Sequence, residues 1–349
     1  MNKILLSVLL ATCAATAVAQ TNVVPLGKGS AVPQNHVVYF LPRTEIVVSV
    51  EQQKVIRRAG RFANYAKRFL SLNDVVIKDS SFYRIAKVDI TDRQIPDSTK
   101  RYAVSITPKS VAYKIKTDKQ GIIRSVNTDI AVETVSDSAI RGLSSADTTS
   151  TFDYSLLEQA ALEATSEEKT AQLVARQILD IRESRADLLS GEDKGEFDVN
   201  SLNKMLEKLD AAERSLTELF AGKTQYYTER KIFRIVPQQS ITDEVVCRFS
   251  PRLGVVDKDD YAGEPIYISV KSADMPAPST AASKSKKNGI YYNIAPEATV
   301  VVSALSGKIS EGKYLFPQFG YATAFPAKMF DKPTTSVVLT KYGTIDYIK

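Results

Sequence analysis

Two runs near the start of the chain decide the fold: Val37-Val38-Tyr39-Phe40-Leu41-Pro42 and Glu45-Ile46-Val47-Val48-Ser49-Val50. Both are rich in the β-branched and aromatic residues that favour strands, and the proline predicts a break between them. One short helix is predicted over residues 62–72, where apolar residues recur at helical spacing. Residues 20–150 are therefore expected to form a β-rich domain with one helix. Its further strand-like runs are 82–90, 102–107, 110–116 and 121–127.

The apolar period changes from two to about 3.6 after residue 155, which indicates helices. A polar, glycine-bearing loop at residues 190–195 separates two apolar stripes, so an antiparallel helical hairpin is predicted over residues 151–223. Gly222 is expected to end the second helix. The first stripe contains Val174, Ile178, Ile181, Leu188 and Leu189, and the second contains Leu202, Met205, Leu206, Leu209, Ala212, Leu216, Leu219 and Phe220.

Strand patterns resume over residues 224–271 and 289–349, and the Pro-, Ser-, Ala- and Lys-rich segment 272–288 between them is expected to be an exposed loop or linker. Residues 290–303 repeat the order of residues 37–49: aromatics, a proline, a glutamate, then a β-branched run ending in serine. This indicates either a weak internal repeat or chance similarity of two strand–turn–strand units. The expected fold class is α+β, with two β-rich lobes and an inserted antiparallel helical hairpin.

Several short motifs occur along the chain in a characteristic order and spacing. They are Tyr39-Phe40-Leu41-Pro42, Phe62-Ala63-Asn64-Tyr65-Ala66, Ala175-Arg176-Gln177-Ile178, Ile181-Arg182-Glu183-Ser184-Arg185, Leu253-Gly254-Val255-Val256-Asp257, Gly263-Glu264-Pro265 and Gln318-Phe319-Gly320. Together they resemble a family of exported Bacteroidetes proteins catalogued as domain of unknown function 4831. The resemblance covers nearly all of the chain after residue 20 and implies an envelope location, but no activity, ligand or catalytic residue.

Residues 1–19 have the pattern of a secretory signal peptide. Lys3 precedes the apolar run 4–10, and Ala17-Val18-Ala19 forms an A-x-A cleavage site before Gln20. A lipoprotein signal at Cys13 is the alternative, although Thr12 replaces the small residue that usually precedes a lipidated cysteine. We expect an exported protein, periplasmic or associated with the cell surface.

Composition is that of a folded protein, with 44% hydrophobic and 25% charged residues. The net charge is +6, and basic residues are mixed with acidic ones, which argues against nucleic-acid binding. No segment after the apolar run is long and uncharged enough to be a membrane span. Cleavage before Gln20 would leave Cys247 as the only cysteine, so no intrachain disulfide is expected.

Few residues could supply catalytic chemistry. His36 is the only histidine, so a Ser-His-Asp, Cys-His or two-histidine metal site would have to use it. We expect a surface histidine instead. Cys247 lies in an alternating run, Glu244-Val245-Val246-Cys247-Arg248-Phe249, which predicts a buried, inert thiol on a strand rather than a nucleophile.

Carboxylates are the other candidates. Asp257, Asp259, Asp260 and Glu264 fall in one glycine-flanked loop and could present oxygens to a calcium ion. The spacing lacks the glycine and terminal glutamate of an EF-hand, and a solvated acidic loop is the alternative. A glycosidase-like pair of acids elsewhere would need no histidine, but the sequence does not show which acids face each other.

Arg185 falls on the apolar stripe of the first predicted helix. A guanidinium in that position must reach solvent or an acidic partner, because an unpaired buried charge is strongly destabilising. We expect a salt bridge between this helix and a domain, and the alternative is a ligand carboxylate or phosphate.

These patterns favour a non-enzymatic structural or binding role in the cell envelope. The partner would be an envelope protein or a glycan, bound through a β surface or the hairpin, and no cofactor is expected. A carboxylate-dependent envelope hydrolase acting on glycan or peptide is the alternative.

Overall fold

The computed structural model describes most of the chain after residue 22. The described ranges are 23–27, 29–32, 34–105, 114–129, 151–190, 198–273, 289–330 and 334–349. The predicted signal peptide with Cys13 lies outside them. So do residues 106–113, which include the end of the predicted strand 102–107 and the start of the predicted strand 110–116, the loop between the two long helices, and residues 274–288 of the predicted linker.

Strands dominate the described chain. The first five are β1 (Val23–Leu26), β2 (His36–Arg58), β3 (Ser80–Ser105), β4 (Ile115–Thr117) and β5 (Ile123–Val126). The next five are β6 (Lys223–Ile235), β7 (Ile241–Ser250), β8 (Gly254–Val256), β9 (Glu264–Ser272) and β10 (Tyr291–Ile294). The last five are β11 (Glu297–Ala304), β12 (Gly307–Leu315), β13 (Tyr321–Ala324), β14 (Val337–Leu339) and β15 (Ile345–Ile348).

The helices are concentrated in the middle of the chain. They are α1 (Ala66–Leu70), α2 (Gln159–Leu162), α3 (Glu167–Ser190) and α4 (Val199–Ala221), with short 3-10 turns at Ala63–Tyr65 and Ala327–Phe330. The predicted helix over residues 62–72 is thus a 3-10 turn followed by α1, and it stops where Ser71 adopts a left-handed conformation with φ of 57°.

The strands form four antiparallel sheets. Their orders are β1-β3-β2-β6, β12-β11-β9-β7-β8, β15-β14-β5-β4 and β10-β13. With the helical hairpin, this architecture is compatible with the predicted α+β class.

The predicted break at Pro42 is wrong. Strand β2 continues through the proline and β3 is equally unbroken, so the runs at 82–90 and 102–105 belong to one strand. Pro42 lies opposite Pro96, and the register shifts between Phe40 and Pro42. Two residues without N–H groups therefore face each other at an irregularity, where a sheet tolerates proline.

Three hydrophobic clusters hold the structure together. The sandwich cluster joins the β1-β3-β2-β6 sheet to the five-stranded sheet, and includes Ile46, Val48, Val50, Ile268, Val300 and Val302. The aromatic cluster includes Tyr39, Leu41, Tyr102, Ile290, Phe325 and Val337. Each of these two clusters takes residues from both ends of the chain, because β2 and β3 pass through both. The segments 20–150 and 289–349 therefore do not have separate cores.

The third cluster is helical and corresponds to the predicted hairpin. It joins α3 and α4 to Phe62, Ala66 and the segment around Leu157. Asp198 caps α4 by accepting hydrogen bonds from the amides of Asn200 and Ser201, and α4 ends at Gly222 as predicted.

Candidate binding surface

The outer face of the β6-β2-β3 sheet is the surface of that sheet turned away from the sandwich cluster. Side chains alternate across a strand, so Ile46, Val48 and Val50 point inward and the odd-numbered residues of β2 from Glu45 to Arg57 point outward. The register places these residues beside residues of β3 and β6 on the same face. The outer face thus carries side chains from three strands that are distant in sequence.

Two arginine–aromatic pairs occupy the end of this face nearest Arg58. The Arg84 guanidinium lies 5.4 Å from the centre of the Tyr226 ring, and that of Arg57 lies 5.6 Å from the Phe82 ring. Phe82 and Tyr226 are both paired in register with Val55, which is 2% exposed between them. We call Gln53, Arg57, Phe82, Arg84 and Tyr226 the arginine–aromatic patch.

Hydrogen bonding fixes one of these guanidiniums. Arg84 donates from Nε and Nη2 to Oε1 of Gln53, at 3.1 and 2.8 Å. A guanidinium has five N–H donors, so Arg84 keeps further N–H groups for an acceptor in solvent. Arg57 lies four residues along β2 from Gln53, the register partner of Arg84, so the Cα atoms of the two arginines are offset by about 13 Å along the strand.

The two ends of the outer face differ in whether their arginines pair with carboxylates. At the end nearest Pro42, Glu45 lies 3.6 Å from Arg93 and 3.9 Å from Arg234. In the middle of the face, Glu51 lies 3.3 Å from Arg230. Within the part of the chain that the structure describes, Arg57 and Arg84 form no ion pair with a carboxylate. The patch therefore presents uncompensated positive charge beside exposed aromatic surface, and Tyr226 is 51% exposed.

The predicted calcium loop is an exposed turn between β8 and β9. Asp257, Asp259, Asp260 and Glu264 are all exposed. The Asp257 carbonyl accepts from the Asp260 amide at 3.0 Å, and the Asp260 carboxylate accepts from the Ala262 amide at 3.0 Å. Across the described ranges, no group of three or more His, Cys, Asp or Glu side chains is placed to hold a metal ion. Calcium binding stays a sequence-based prediction.

A guanidinium braces the same loop from inside. Arg248 on β7 donates to the carbonyls of Lys258 and Gly263, at 2.8 and 3.2 Å, and lies 4.6 Å from the ring centre of Tyr261. The loop backbone is thus held by a cation within the chain.

Arg185 pairs within the hairpin rather than with a separate domain. Its Nε lies 3.1 Å from Asp210, its Nη1 lies 3.9 Å from Glu213, and its side chain is 43% exposed. Arg182 reaches the same Glu213 at 2.6 Å. The acidic partners that we expected for this arginine are therefore on α4. This geometry gives no support to ligand binding by Arg185.

The histidine and the cysteine differ in their surroundings. The imidazole Nδ1 of His36, at the start of β2, donates to the Gln34 carbonyl at 2.8 Å. Cys247 is completely buried in the sandwich cluster, as predicted, and burial raises the pKa of its thiol to about 12. The thiol is therefore protonated at neutral pH, a state in which it is a poor nucleophile.

Several of the family motifs hold the backbone rather than form a site. The Gln318 side chain accepts from the Thr44 amide at 2.9 Å and donates to the carbonyls of Thr44 and Pro237. A Cβ on Gly320 would lie 1.8 Å from the Ile294 carbonyl oxygen, and one on Gly254 would lie 2.5 Å from Oε1 of Gln52. Gly320 requires glycine because backbone approaches too closely for a side chain, and Gly254 requires it because its φ of 81° lies in the left-handed region.

The sequence did not single out the arginine–aromatic patch. Its five residues come from three strands, and no one of them is unusual in its own run. Alternation along Phe82 and Arg84 could have placed these two on one face, but the approach of Tyr226 depends on the pairing of β6 with β2.

No helix among the described residues is long and apolar enough to cross a membrane. No curated protein and no solved structure matches the chain. The family model described as domain of unknown function (DUF4831) matches residues 35–345, which is almost the whole described chain. The chain therefore belongs to the DUF4831 family.

Proposed function

We propose that the protein is exported and serves a binding role in the cell envelope, with the arginine–aromatic patch as its binding surface and an acidic polysaccharide as its ligand. The signal-peptide pattern of residues 1–19 supports export. The observation that carries the binding role is the pair of guanidiniums that lie over aromatic rings on an exposed sheet face.

The chemistry of the patch matches uronate sugars. A guanidinium presents parallel N–H groups that can bind a carboxylate with two hydrogen bonds. The contacts of the guanidiniums with the Tyr226 and Phe82 rings, together with the hydrogen bonds from Arg84 to Gln53, restrict the motion of these side chains before a ligand binds. Tyr226 also supplies exposed apolar surface and a hydroxyl beside the cation.

The placement of the two arginines favours a polymer over a single sugar. Their guanidiniums lie over different rings, one on β3 and one on β6, so a chain that carries several carboxylates can contact both. Two weak contacts on one chain reinforce each other, since the second forms at a high effective concentration.

The test measures binding of purified residues 20–349 to polygalacturonate by calorimetry, with neutral dextran as the comparison polymer. We expect binding to polygalacturonate only, weakening steeply as salt increases. The variant Arg57→Gln/Arg84→Gln should bind at least about tenfold more weakly, a change of about 1.4 kcal/mol or more.

The matched control is Arg61→Gln/Arg68→Gln. These arginines also lie over rings, Phe62 at 5.4 Å and Phe69 at 5.2 Å, but outside the outer face, and Arg68 also pairs with Glu168 at 2.6 Å. The control removes the same charge and should change the affinity by less than about twofold. Equal losses in the two variants, or no binding by the parent protein, would overturn the proposal.

A further inference from the structure

The far half of the helical hairpin contributes no buried residue within its described ranges, 181–190 and 199–215. The buried residues of α3 end at Ile178, and those of α4 begin at Leu216. From Ile181 to Ser190 and from Val199 to Ser215, every side chain is half-buried or exposed. We call these two stretches the arm; its α3 part is about 15 Å long.

The arm nevertheless keeps the apolar stripes of a packed helix. Leu189 is 62% exposed, Val199 is 74% exposed and Met205 is 37% exposed, while Leu202 and Leu206 are half-buried. A pair of helices buries only the side chains that lie between the two helices. Burying an apolar stripe as wide as that of the arm takes the packing of a four-helix bundle.

The charges of the two arm helices are opposite on their exposed sides. On α3, Arg182 and Arg185 are paired with Glu213 and Asp210 of α4. The exposed charged residues that remain on the α3 part are acidic, Glu183 and Asp187. On α4 the exposed charges are predominantly basic, and comprise Lys204, Lys208 and Arg214 with Glu207. The arm thus has an acidic side and a basic side.

A second arm related by a two-fold axis would set the acidic side of α3 against the basic side of α4 in both directions at once. Such an interface is self-complementary, as a two-fold symmetric dimer requires. We propose that the occupant of the arm is the arm of a second copy of this chain, and that the two form an antiparallel four-helix bundle.

The test uses two charge-reversal variants of residues 20–349 in analytical ultracentrifugation. Lys204→Glu/Lys208→Glu makes both sides of the arm acidic, and Glu183→Lys/Asp187→Lys makes both sides basic. Each variant alone should dimerise at least tenfold more weakly than the parent protein. An equimolar mixture of the two should recover the dimer, because each acidic side then meets a basic side.

Lys119→Glu/Lys258→Glu is the control, since it reverses two exposed lysines outside the arm and should leave dimerisation unchanged. Circular dichroism melts of each variant show whether it is folded. A dimer with a Kd of about 1 μM would be almost fully formed at about 100 μM protein. A parent protein that stays monomeric at that concentration would overturn the proposal. Reversed variants that dimerise like the parent, or a mixture of folded variants that stays monomeric, would overturn it as well.

Discussion

Strand β2 runs unbroken through Pro42, whereas the corresponding segment at residues 290–303 divides at Ala295-Pro296 into β10 and β11. The aromatic part of each segment contributes to the aromatic cluster, and the β-branched part of each contributes to the sandwich cluster. In each segment a glutamate, Glu45 or Glu297, is followed by three alternate residues that point into the sandwich cluster. These positions are Ile46, Val48 and Val50 in the first segment and Ala298, Val300 and Val302 in the second.

The partner strand explains why only one of the two segments divides. Pro42 faces Pro96 in the continuous strand β3. Opposite Pro296 the neighbouring strand ends instead. Strand β12 stops at Leu315, and the Phe316 amide donates to the Pro296 carbonyl at 2.9 Å. Local sequence thus sets which core a side chain enters, while the partner decides whether the strand continues.

The largest expected effect comes from adding a side chain where the backbone at the end of β10 contacts Gly320 most closely. Gly320→Ala places a Cβ 1.8 Å from the Ile294 carbonyl oxygen and 3.1 Å from Pro296 Cδ. Backbone must shift to accommodate it, so the free energy of unfolding should fall by about 3 kcal/mol. Urea denaturation followed by circular dichroism measures the change.

Gly27→Ala is the control, because its nearest neighbour would be Ser30 Oγ at 3.4 Å, an ordinary contact. That variant should match the parent protein within about 0.5 kcal/mol. Equal stability of the Gly320 variant and this control would contradict the close approach of β10 and the β12–β13 turn.

A smaller effect tests whether the two segments are equivalent in the core. Val48→Ala and Val300→Ala remove the same atoms at corresponding positions, both completely buried. Each should lower the free energy of unfolding by about 2 kcal/mol, from lost burial and the cavity left behind. Chemical denaturation of both variants under the same conditions gives the comparison.

Val301→Ala is the matched control on β11, since Val301 is half-buried and points away from the sandwich cluster. It should cost less than half as much as Val300→Ala. If the Val300 variant is no less stable than the Val301 control, the β11 register that points Val300 into the sandwich cluster is wrong.

Periodicity predicted the elements better than their connections. The helical hairpin and its end at Gly222 follow from spacing that is visible within one segment. The pairing of β2 with β6 joins residues such as Gln53 and Thr228, which are far apart in the chain, and a single sequence gives no register for it. The predicted break at Pro42 was wrong for the same reason. Whether the strand continues there depends on the residue opposite, Pro96, which a single sequence does not reveal.

The candidate surface was less accessible from sequence than the fold. Arg185 was conspicuous because its charge contradicted an apolar stripe, and its carboxylate partners were found on α4. Arg84 and Tyr226 contradict nothing in their own strands, since both are outward residues of alternating runs. Only the assembled sheet brings the guanidinium over the ring.

The smallest expected effect separates the two glutamates that open the corresponding segments. The Glu45 side chain is 11% exposed and lies near Arg93 and Arg234, whereas Glu297 is 57% exposed and lies 3.4 Å from Lys313. Glu45→Gln should lower the free energy of unfolding by about 1 kcal/mol, because two guanidiniums lose a partly buried counter-charge. Glu297→Gln should change it by less than about 0.5 kcal/mol, since solvent screens an exposed pair.

A double-mutant cycle with Arg234→Gln attributes the Glu45 effect to its charge partners. If the ion pair stabilises the sheet, Glu45→Gln should cost less in the Arg234→Gln background than in the parent protein. The same cycle with Glu297→Gln and Lys313→Gln should give a coupling close to zero. Indistinguishable couplings at the two positions would mean that burial of Glu45 adds nothing to its pairing, and that the two segments differ in backbone continuity alone.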